Sequence, residues 1–101
     1  MSDYYILEGH RAVKTDPMIW STWIQGAERH VADEMVGDVR ISTVFLGLDH
    51  GFGYSPPLLF ETMVFGGPLD QEQDRYTTWE QAEEGHKDMV ERVRKGGIDA
   101  E

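Results

Sequence analysis

The chain has 101 residues, enough for one small domain with a single core. It has no cysteine, which excludes disulfide bonds, thiolate metal ligands and thiol catalysis. Nine basic and nineteen acidic residues give a net charge of −10, so phosphate backbones and anionic membrane surfaces repel the chain. The N-terminal segment has no basic flank and no long apolar run. We therefore expect a cytoplasmic protein that binds neither nucleic acid nor a membrane.

The N-terminal third predicts a strand followed by a helix. We interpret Tyr4–Val13 as a strand that places Tyr4, Ile6 and Glu8 on one face and Tyr5, Leu7 and Gly9 on the other. Asp16 suits the N-cap of a helix and Pro17 suits its first position. Apolar residues at helical spacing follow, and they predict an amphipathic helix over Pro17–Arg29 whose Trp side chains cover the sheet.

The next segment, His30–Val36, alternates in a way that suits a strand, although it could also extend the helix. We favour a strand. Gly37 followed by Asp38 suits the type II′ turn of a two-residue hairpin, because glycine accepts the positive φ of the first central position. This segment is therefore expected to pair with the strand that follows the turn.

Two strands in the middle of the chain, Val39–Leu48 and Leu58–Phe65, carry apolar residues on both faces. This pattern is typical of the central strands of a sheet, which are covered on both sides. The loop that joins them, Asp49–Pro57, is rich in Gly and Pro and is longer than a tight hairpin requires. It also holds side chains that can contact a ligand.

The C-terminal part predicts a long amphipathic helix. A capping box, formed by Thr78 with Gln81 or by Thr77 with Glu80, indicates where this helix begins. An apolar stripe at helical spacing follows the capping box, and His86 lies near the centre of the stripe. The helix therefore has one face for the core and one for solvent.

The predicted order of elements is β-α-β-β-β-(β)-α, in which a polar turn over Gly66–Asp74 precedes a short edge strand over Arg75–Thr77. This order predicts an α+β fold: an antiparallel sheet of four to five strands with two amphipathic helices. We expect one domain over residues 1–97, a last helix that ends at Gly96–Gly97, and a flexible tail over residues 98–101. Two helices on one face of the sheet would leave the other face to a partner, so we expect a homodimer or a higher homo-oligomer.

The residues predicted to bind a ligand come from the central loop, the strand after it and the last helix: Asp49, His50, Phe52, Tyr54, Glu61, Trp79 and His86. The aromatic members could stack on a flat ligand such as a nucleobase. A structural role stays open for three residues: Asp49 in a turn, His86 in the core, and Glu61 paired with a cation such as Arg40. The histidines and carboxylates match no metal motif, so we expect neither a metal nor a cofactor.

Several runs of the sequence resemble a known family. They are STVFLGLDHGFG and PPLLFETMVFGGPLD within Ser42–Asp70, YTTWEQAEEGHKDMVERV at Tyr76–Val93, and YILEGH at Tyr5–His10. Together they cover nearly the whole chain and are similar to small proteins encoded by actinobacterial phages, prophages and related bacteria. The resemblance implies a protein in the cytoplasm of an infected bacterium, and it implies no particular activity or catalytic residue.

Three functions fit these observations. The first is a non-catalytic binding module for a small molecule or a host factor, and the second is an acidic factor that binds or inhibits a host protein. The third is a small hydrolase in which Asp49, His50 and His86 converge. We favour the two binding functions over the hydrolase, because the sequence has no nucleophile elbow and no glycine-rich phosphate motif that opens a helix. The two binding functions rank nearly equal, and we place the binding module first.

Overall fold

The computed structural model describes residues 3–49 and 56–99, with side chains up to residue 96. These residues form six strands and two helices, in the order β1 (Tyr4–Glu8), β2 (Arg11–Thr15), α1 (Pro17–Gly26), β3 (His30–Val36), β4 (Val39–Phe45), β5 (Phe60–Phe65), β6 (Gln73–Tyr76) and α2 (Trp79–Asp99). Strands β1 and β2 form a two-stranded antiparallel sheet, and β3 to β6 form a four-stranded antiparallel sheet in sequential order. The predicted α+β fold is confirmed.

The segment predicted as one strand, Tyr4–Val13, is a hairpin of two strands, so that prediction is wrong. Glu8 pairs with Arg11, which leaves Gly9 and His10 as the two turn residues. Gly9 has a φ of +63°, and glycine takes this value with little strain. Apolar residues lie on both sides of the turn, at Tyr4–Leu7 and at Ala12 and Val13, so the sequence pattern alone did not separate the two strands.

Helix α1 begins as predicted but ends earlier. The Asp16 side chain accepts a hydrogen bond of 2.8 Å from the backbone N–H of Ile19, as an N-cap does. The helix ends at Gly26 rather than Arg29, because Ala27 is already extended. The carbonyl of Arg29 accepts a hydrogen bond from the N–H of Phe45, so the backbone there already belongs to the approach to β3.

The hairpin of β3 and β4 is confirmed. Val36 pairs with Val39 across a turn in which Gly37 has a φ of +61°. The register shifts between His30 and Ala32, where β3 contains a bulge. Beyond the bulge, each side chain of β3 lies on the same face of the sheet as that of its partner on β4.

Strands β4 and β5 are the central pair of the four-stranded sheet, as predicted, but both are shorter than the apolar runs suggested. The first ends at Phe45 instead of Leu48, and the second begins at Phe60 instead of Leu58. The edge strand β6 covers Gln73–Tyr76 rather than Arg75–Thr77. Leu48 leaves β4 because it bridges to Tyr4, which ties the small sheet to the end of the large one.

One face of the large sheet holds the core. Helix α2 packs on this face, and the fully buried apolar side chains beneath it are Ile41, Phe45, Phe60 and Val64. The hairpin and helix α1 reach the same face, since Leu7 and Trp23 pack against the cluster around Phe45. The Trp23 and Phe45 rings meet edge to face with centroids 5.8 Å apart. Both helices therefore contact one face of the sheet.

The other face of the sheet, which we call the open face, carries the alternate side chains of the same strands. Its apolar residues are Met35, Val44, Met63 and Phe65, and its charged residues are Asp33, Arg40, Glu61 and Arg75. Met35 is 61% exposed and Phe65 is 40% exposed. The apolar residues on both faces of β4 and β5 correctly indicated that these strands are central. Only one of the two faces is buried in the core.

Helix α2 runs through Gly96 and Gly97 to Asp99, so the predicted end of this helix is wrong. Glycine lowers helix propensity by about 1 kcal/mol relative to alanine, which is too little to end a helix that is held by packing. Val90 and Val93 hold this part of α2 on the sheet. In the described part of the chain, no helix is long and apolar enough to cross a membrane.

Candidate ligand-binding site

A cleft of about 470 Å³ lies between the β1–β2 hairpin and the N-terminal end of α2. Its apolar wall consists of Tyr5, Ala12, Pro57, Leu59, Phe60 and Trp79. Its polar groups are Glu8, His10, Arg11, Thr77, Thr78 and Glu80. The hairpin turn brings His10 and Arg11 to the cleft, and the capping box brings the threonines, so the cleft depends on the docking of two distant segments.

Trp79 is the aromatic centre of the cleft. Its indole stacks on the imidazole of His10 with ring centroids 3.9 Å apart and planes 5° from parallel. The Phe60 ring meets the same indole edge to face at 6.2 Å. The indole Nε1–H is buried and has no acceptor among the described residues. Trp79 therefore lies between an exposed ring and the core.

The N-terminal end of α2 is closed by its own side chains. Gln81 Oε1 accepts hydrogen bonds from the backbone N–H groups of Thr77 and Thr78, at 3.0 and 3.2 Å. The Thr78 hydroxyl accepts a hydrogen bond of 3.1 Å from the N–H of Gln81. This arrangement confirms the first of the two predicted capping boxes. Glu80 adds a negative charge to the first turn, which opposes binding of an anion there.

Of the predicted ligand-binding residues, Trp79 lines the cleft, and Asp49 lies at the base of the central loop. The Asp49 carboxylate accepts a hydrogen bond of 3.0 Å from the N–H of Leu58, and its own N–H donates to the carbonyl of Asp3 at 3.2 Å. Asp49 thus joins the two ends of the loop, as a turn residue does. The predictions for His50, Phe52 and Tyr54 fall outside the described residues.

Glu61 lies on the open face, on the opposite side of the sheet from the core. Its carboxylate accepts a hydrogen bond of 3.0 Å from Arg75 Nε on the neighbouring strand. Its partner is therefore Arg75 and not Arg40, which instead pairs with Asp33 through bonds of 3.0 and 2.7 Å. Arg40 lowers the pKa of the Asp33 carboxyl, because its guanidinium donates hydrogen bonds to the ionised form.

His86 lies beneath α2 and is 2% exposed. Its Nε2 lies 3.0 Å from Glu34 Oε1, and its Nδ1 lies 2.7 Å from the hydroxyl of Thr43. The Thr43 hydroxyl lies 2.5 Å from that of Thr62, which also hydrogen bonds with Tyr76. One hydrogen-bonded chain thus crosses all four strands of the large sheet, with one residue from each strand and His86 from the helix.

Both ring nitrogens of His86 have partners in this chain: Nε2 faces the Glu34 carboxylate, and Nδ1 shares a hydrogen bond with the Thr43 hydroxyl. A carboxylate, an imidazole and a hydroxyl in this order resemble a hydrolytic triad. The hydroxyl of Thr43 is inaccessible, however, because this residue is 0% exposed. The arrangement satisfies buried polar groups and offers no attacking oxygen to a substrate.

Most of the residues that line the cleft were not predicted from the sequence. Tyr5, His10, Arg11 and Ala12 come from the region that was predicted as one continuous strand. The Gly9-His10 pair in the middle of that region was the available signal, because glycine between two apolar runs favours a hairpin turn. A hairpin would have placed His10 and Arg11 at a turn, where side chains are free to contact a ligand.

No group of three or more His, Asp or Glu residues in the described ranges is arranged to hold a metal ion. Comparison of the chain with protein-family models, with curated proteins and with solved structures found no match.

Proposed function

We propose that this protein is a non-catalytic binding module that holds a small, planar, uncharged ring compound, such as a nucleobase or a nucleoside, in the cleft beside Trp79. The observation that carries the proposal is the cleft: about 470 Å³ with an aromatic wall and a few polar groups. Sites for small molecules typically have volumes of about 300–1,000 Å³ and this kind of lining. Because His10 already stacks on one face of the Trp79 indole, a flat ring in the cleft would stack on the exposed imidazole of His10 or pack against the apolar wall.

The charges around the cleft favour an uncharged ligand. Arg11 is the only arginine or lysine among the described residues that line the cleft, and Glu8 and Glu80 oppose its charge. The whole chain carries a net charge of −10, which disfavours a phosphorylated ligand. A nucleobase instead presents donors and acceptors along its edge, and these suit the two carboxylates, the guanidinium and the threonine hydroxyls.

A binding role fits the chemistry of the chain better than hydrolysis. The buried network of Glu34, His86 and Thr43 has no route for a substrate to the Thr43 hydroxyl, which is 0% exposed. In the proposed setting, the cytoplasm of a phage-infected bacterium, such a module would sequester or sense a free base or nucleoside. The resemblance to phage-encoded proteins supports this setting.

The first test is native mass spectrometry of protein purified without denaturation, followed by titration with nucleosides and their 5′-monophosphates. We expect the nucleosides to quench Trp79 fluorescence in a variant that keeps this Trp alone, through Trp20→Phe and Trp23→Phe. The monophosphates should bind more weakly than the nucleosides. No response to any nucleobase or nucleoside at about 1 mM, or tighter binding of the monophosphates, contradicts the proposal.

Two substitutions in the same strand provide the matched control. Arg11→Gln removes a positive charge that lines the cleft, and Lys14→Gln removes one that does not. We expect Arg11→Gln to weaken nucleoside binding and Lys14→Gln to leave it unchanged. Ala12→Leu should block the cleft by filling it. Equal binding by all three variants would place the ligand elsewhere.

A further inference from the structure

The open face of the large sheet has the composition of an interface rather than of an ordinary solvent-facing surface. Met35 and Phe65 are exposed, and Val44 and Met63 are partly buried. Arg40 lies between Met35 and Phe65 in the register of the sheet. The guanidinium of Arg40 lies 5.8 Å from the centre of the Phe65 ring, so this cation covers part of an aromatic face. Large apolar side chains that are exposed on one sheet face, with a cation over one of them, suit a surface that another protein covers.

The charges of the open face cancel one another. Arg40 pairs with Asp33 at 2.7 Å, and Arg75 pairs with Glu61 at 3.0 Å. The formal charges of these four residues sum to zero, so the net charge of −10 comes from the rest of the chain. The open face is thus a neutral surface on a strongly acidic molecule.

We propose that two copies of this chain associate through their open faces, with the two faces related by a two-fold axis. Two molecules of charge −10 repel each other, and they can approach most closely where the charges are already paired within each copy. A basic partner protein would instead be drawn to the acidic remainder of the surface. The neutral, apolar open face therefore fits a second copy better than it fits a basic host protein.

The size of the face determines how tight such a dimer can be. Four strands about 4.8 Å apart and about six residues long give a flat footprint of about 400 Å². A stable interface takes about 800 Å² from each partner. The side chains add relief to the footprint, but the flat area is only about half of what a stable interface takes. We therefore expect a weak dimer, with a dissociation constant between about 1 μM and 1 mM.

The central experiment measures sedimentation equilibrium over this range of concentration for the wild-type chain and two variants. Met35→Glu places a charge on the open face, and Met18→Glu makes the same change on α1, where Met18 is 80% exposed. Both side chains are exposed, so both variants should fold, which circular dichroism checks. We expect Met35→Glu to raise the dissociation constant at least about tenfold and Met18→Glu to change it by less than about threefold.

The dependence on salt separates this dimer from a charge-driven association. Raising the ionic strength from about 0.01 M to 0.15 M shortens the screening length from about 30 Å to 8 Å. Two acidic copies then repel each other less, so the dimer should become tighter. An association that rests on attraction between opposite charges would weaken under the same change.

Amide resonances provide a second readout that needs no variant. On dilution, the amide signals of β4 and β5 should shift, and those of Gly9 and His10 in the hairpin turn should stay constant. A chain that is monomeric up to about 1 mM overturns the proposal. So does a dimer that Met35→Glu and Met18→Glu weaken equally, or one whose concentration-dependent shifts lie outside the large sheet.

Discussion

The imidazole of His10 lies flat on the indole of Trp79, with ring centroids 3.9 Å apart and planes 5° from parallel. One ring comes from the turn of the N-terminal hairpin and the other from the first turn of the last helix. This contact joins the two walls of the cleft. It also covers a face of the indole that a ligand ring could otherwise occupy.

The stack should contribute measurably to stability. A double-mutant cycle with His10→Ala and Trp79→Leu should give a coupling of about 0.5–1.5 kcal/mol, the usual value for a pair of stacked rings. The measurement is the free energy of unfolding in urea for the wild type, both single variants and the double variant. Glu8→Ala in place of His10→Ala is the control. An equal coupling for Glu8 would mean that the stack has no energetic role.

Two glycines of α2 should respond to the same substitution with opposite signs. A Cβ at Gly85 would overlap the ring of Tyr76, whereas one at Gly96 would meet only the Leu69 side chain, at an ordinary 3.7 Å. Gly85→Ala should destabilise the protein by about 1–3 kcal/mol because the core is overpacked. Gly96→Ala should stabilise it by up to about 1 kcal/mol through helix propensity. Thermal unfolding of both variants checks this, and a stabilising Gly85→Ala would contradict the packing described.

The buried hydrogen-bonded chain should be sensitive to the loss of one hydroxyl. Thr43→Val keeps the shape of the side chain but leaves His86 Nδ1 and the Thr62 hydroxyl without this partner. We expect a loss of about 1–3 kcal/mol in the free energy of unfolding, because an unsatisfied buried polar group retains its desolvation cost.

The same network predicts that two such substitutions are not additive. Thr43→Val combined with Thr62→Val removes both hydroxyls of one hydrogen bond, so it should cost less than the sum of the two single variants. Urea unfolding of the four proteins measures the difference. Strict additivity would show that the two hydroxyls do not interact in solution.

Tyr76 should make stability depend on alkaline pH. Burial raises the pKa of Tyr76 above its usual value of 10.0, and the nearby carboxylates of Asp74 and Asp88 act in the same direction. Above pH 10.0 the unfolded chain releases this proton while the folded chain still holds it. The contribution of Tyr76 to stability is therefore complete below pH 10.0 and is lost as the pH rises through the higher, folded pKa.

The variant Tyr76→Phe isolates this contribution from those of the other tyrosines. It should be less stable than the wild type at neutral pH, because it lacks the hydrogen bond with Thr62. The difference in the free energy of unfolding should shrink as the pH rises above about 10. A difference that stays constant across this window would mean that Tyr76 ionises as readily in the folded chain as in the unfolded one.

Local chemistry was enough to predict much of the fold. The N-cap at Asp16, the turn at Gly37 and the capping box at Thr78 act over a few residues, and all three are present as predicted. The buried stripe of α2 also follows from its spacing, since Ala82 and Met89 lie in the core. These features depend on local backbone geometry and on helical or strand periodicity, and both can be predicted from neighbouring residues in the sequence.

Element ends were harder to predict, because contacts between distant segments set them. The backbone carbonyl of Arg29 accepts a hydrogen bond from the N–H of Phe45, so α1 does not continue to this residue. Helix α2 passes through Gly96 because its packing holds it in place. A difference in helix propensity of about 1 kcal/mol at one residue is too small to outweigh these contacts between distant segments.

The sequence by itself determined the α+β class, the central position of β4 and β5, and a face of α2 with His86 buried in it. Only the tertiary structure decided which distant groups meet: His10 with Trp79, Glu61 with Arg75, and Glu34 with His86. It also decided that both helices contact the same face of the sheet. Periodicity predicts which face of its helix or strand a side chain lies on. The partner that this side chain contacts depends on the register and packing of the whole chain.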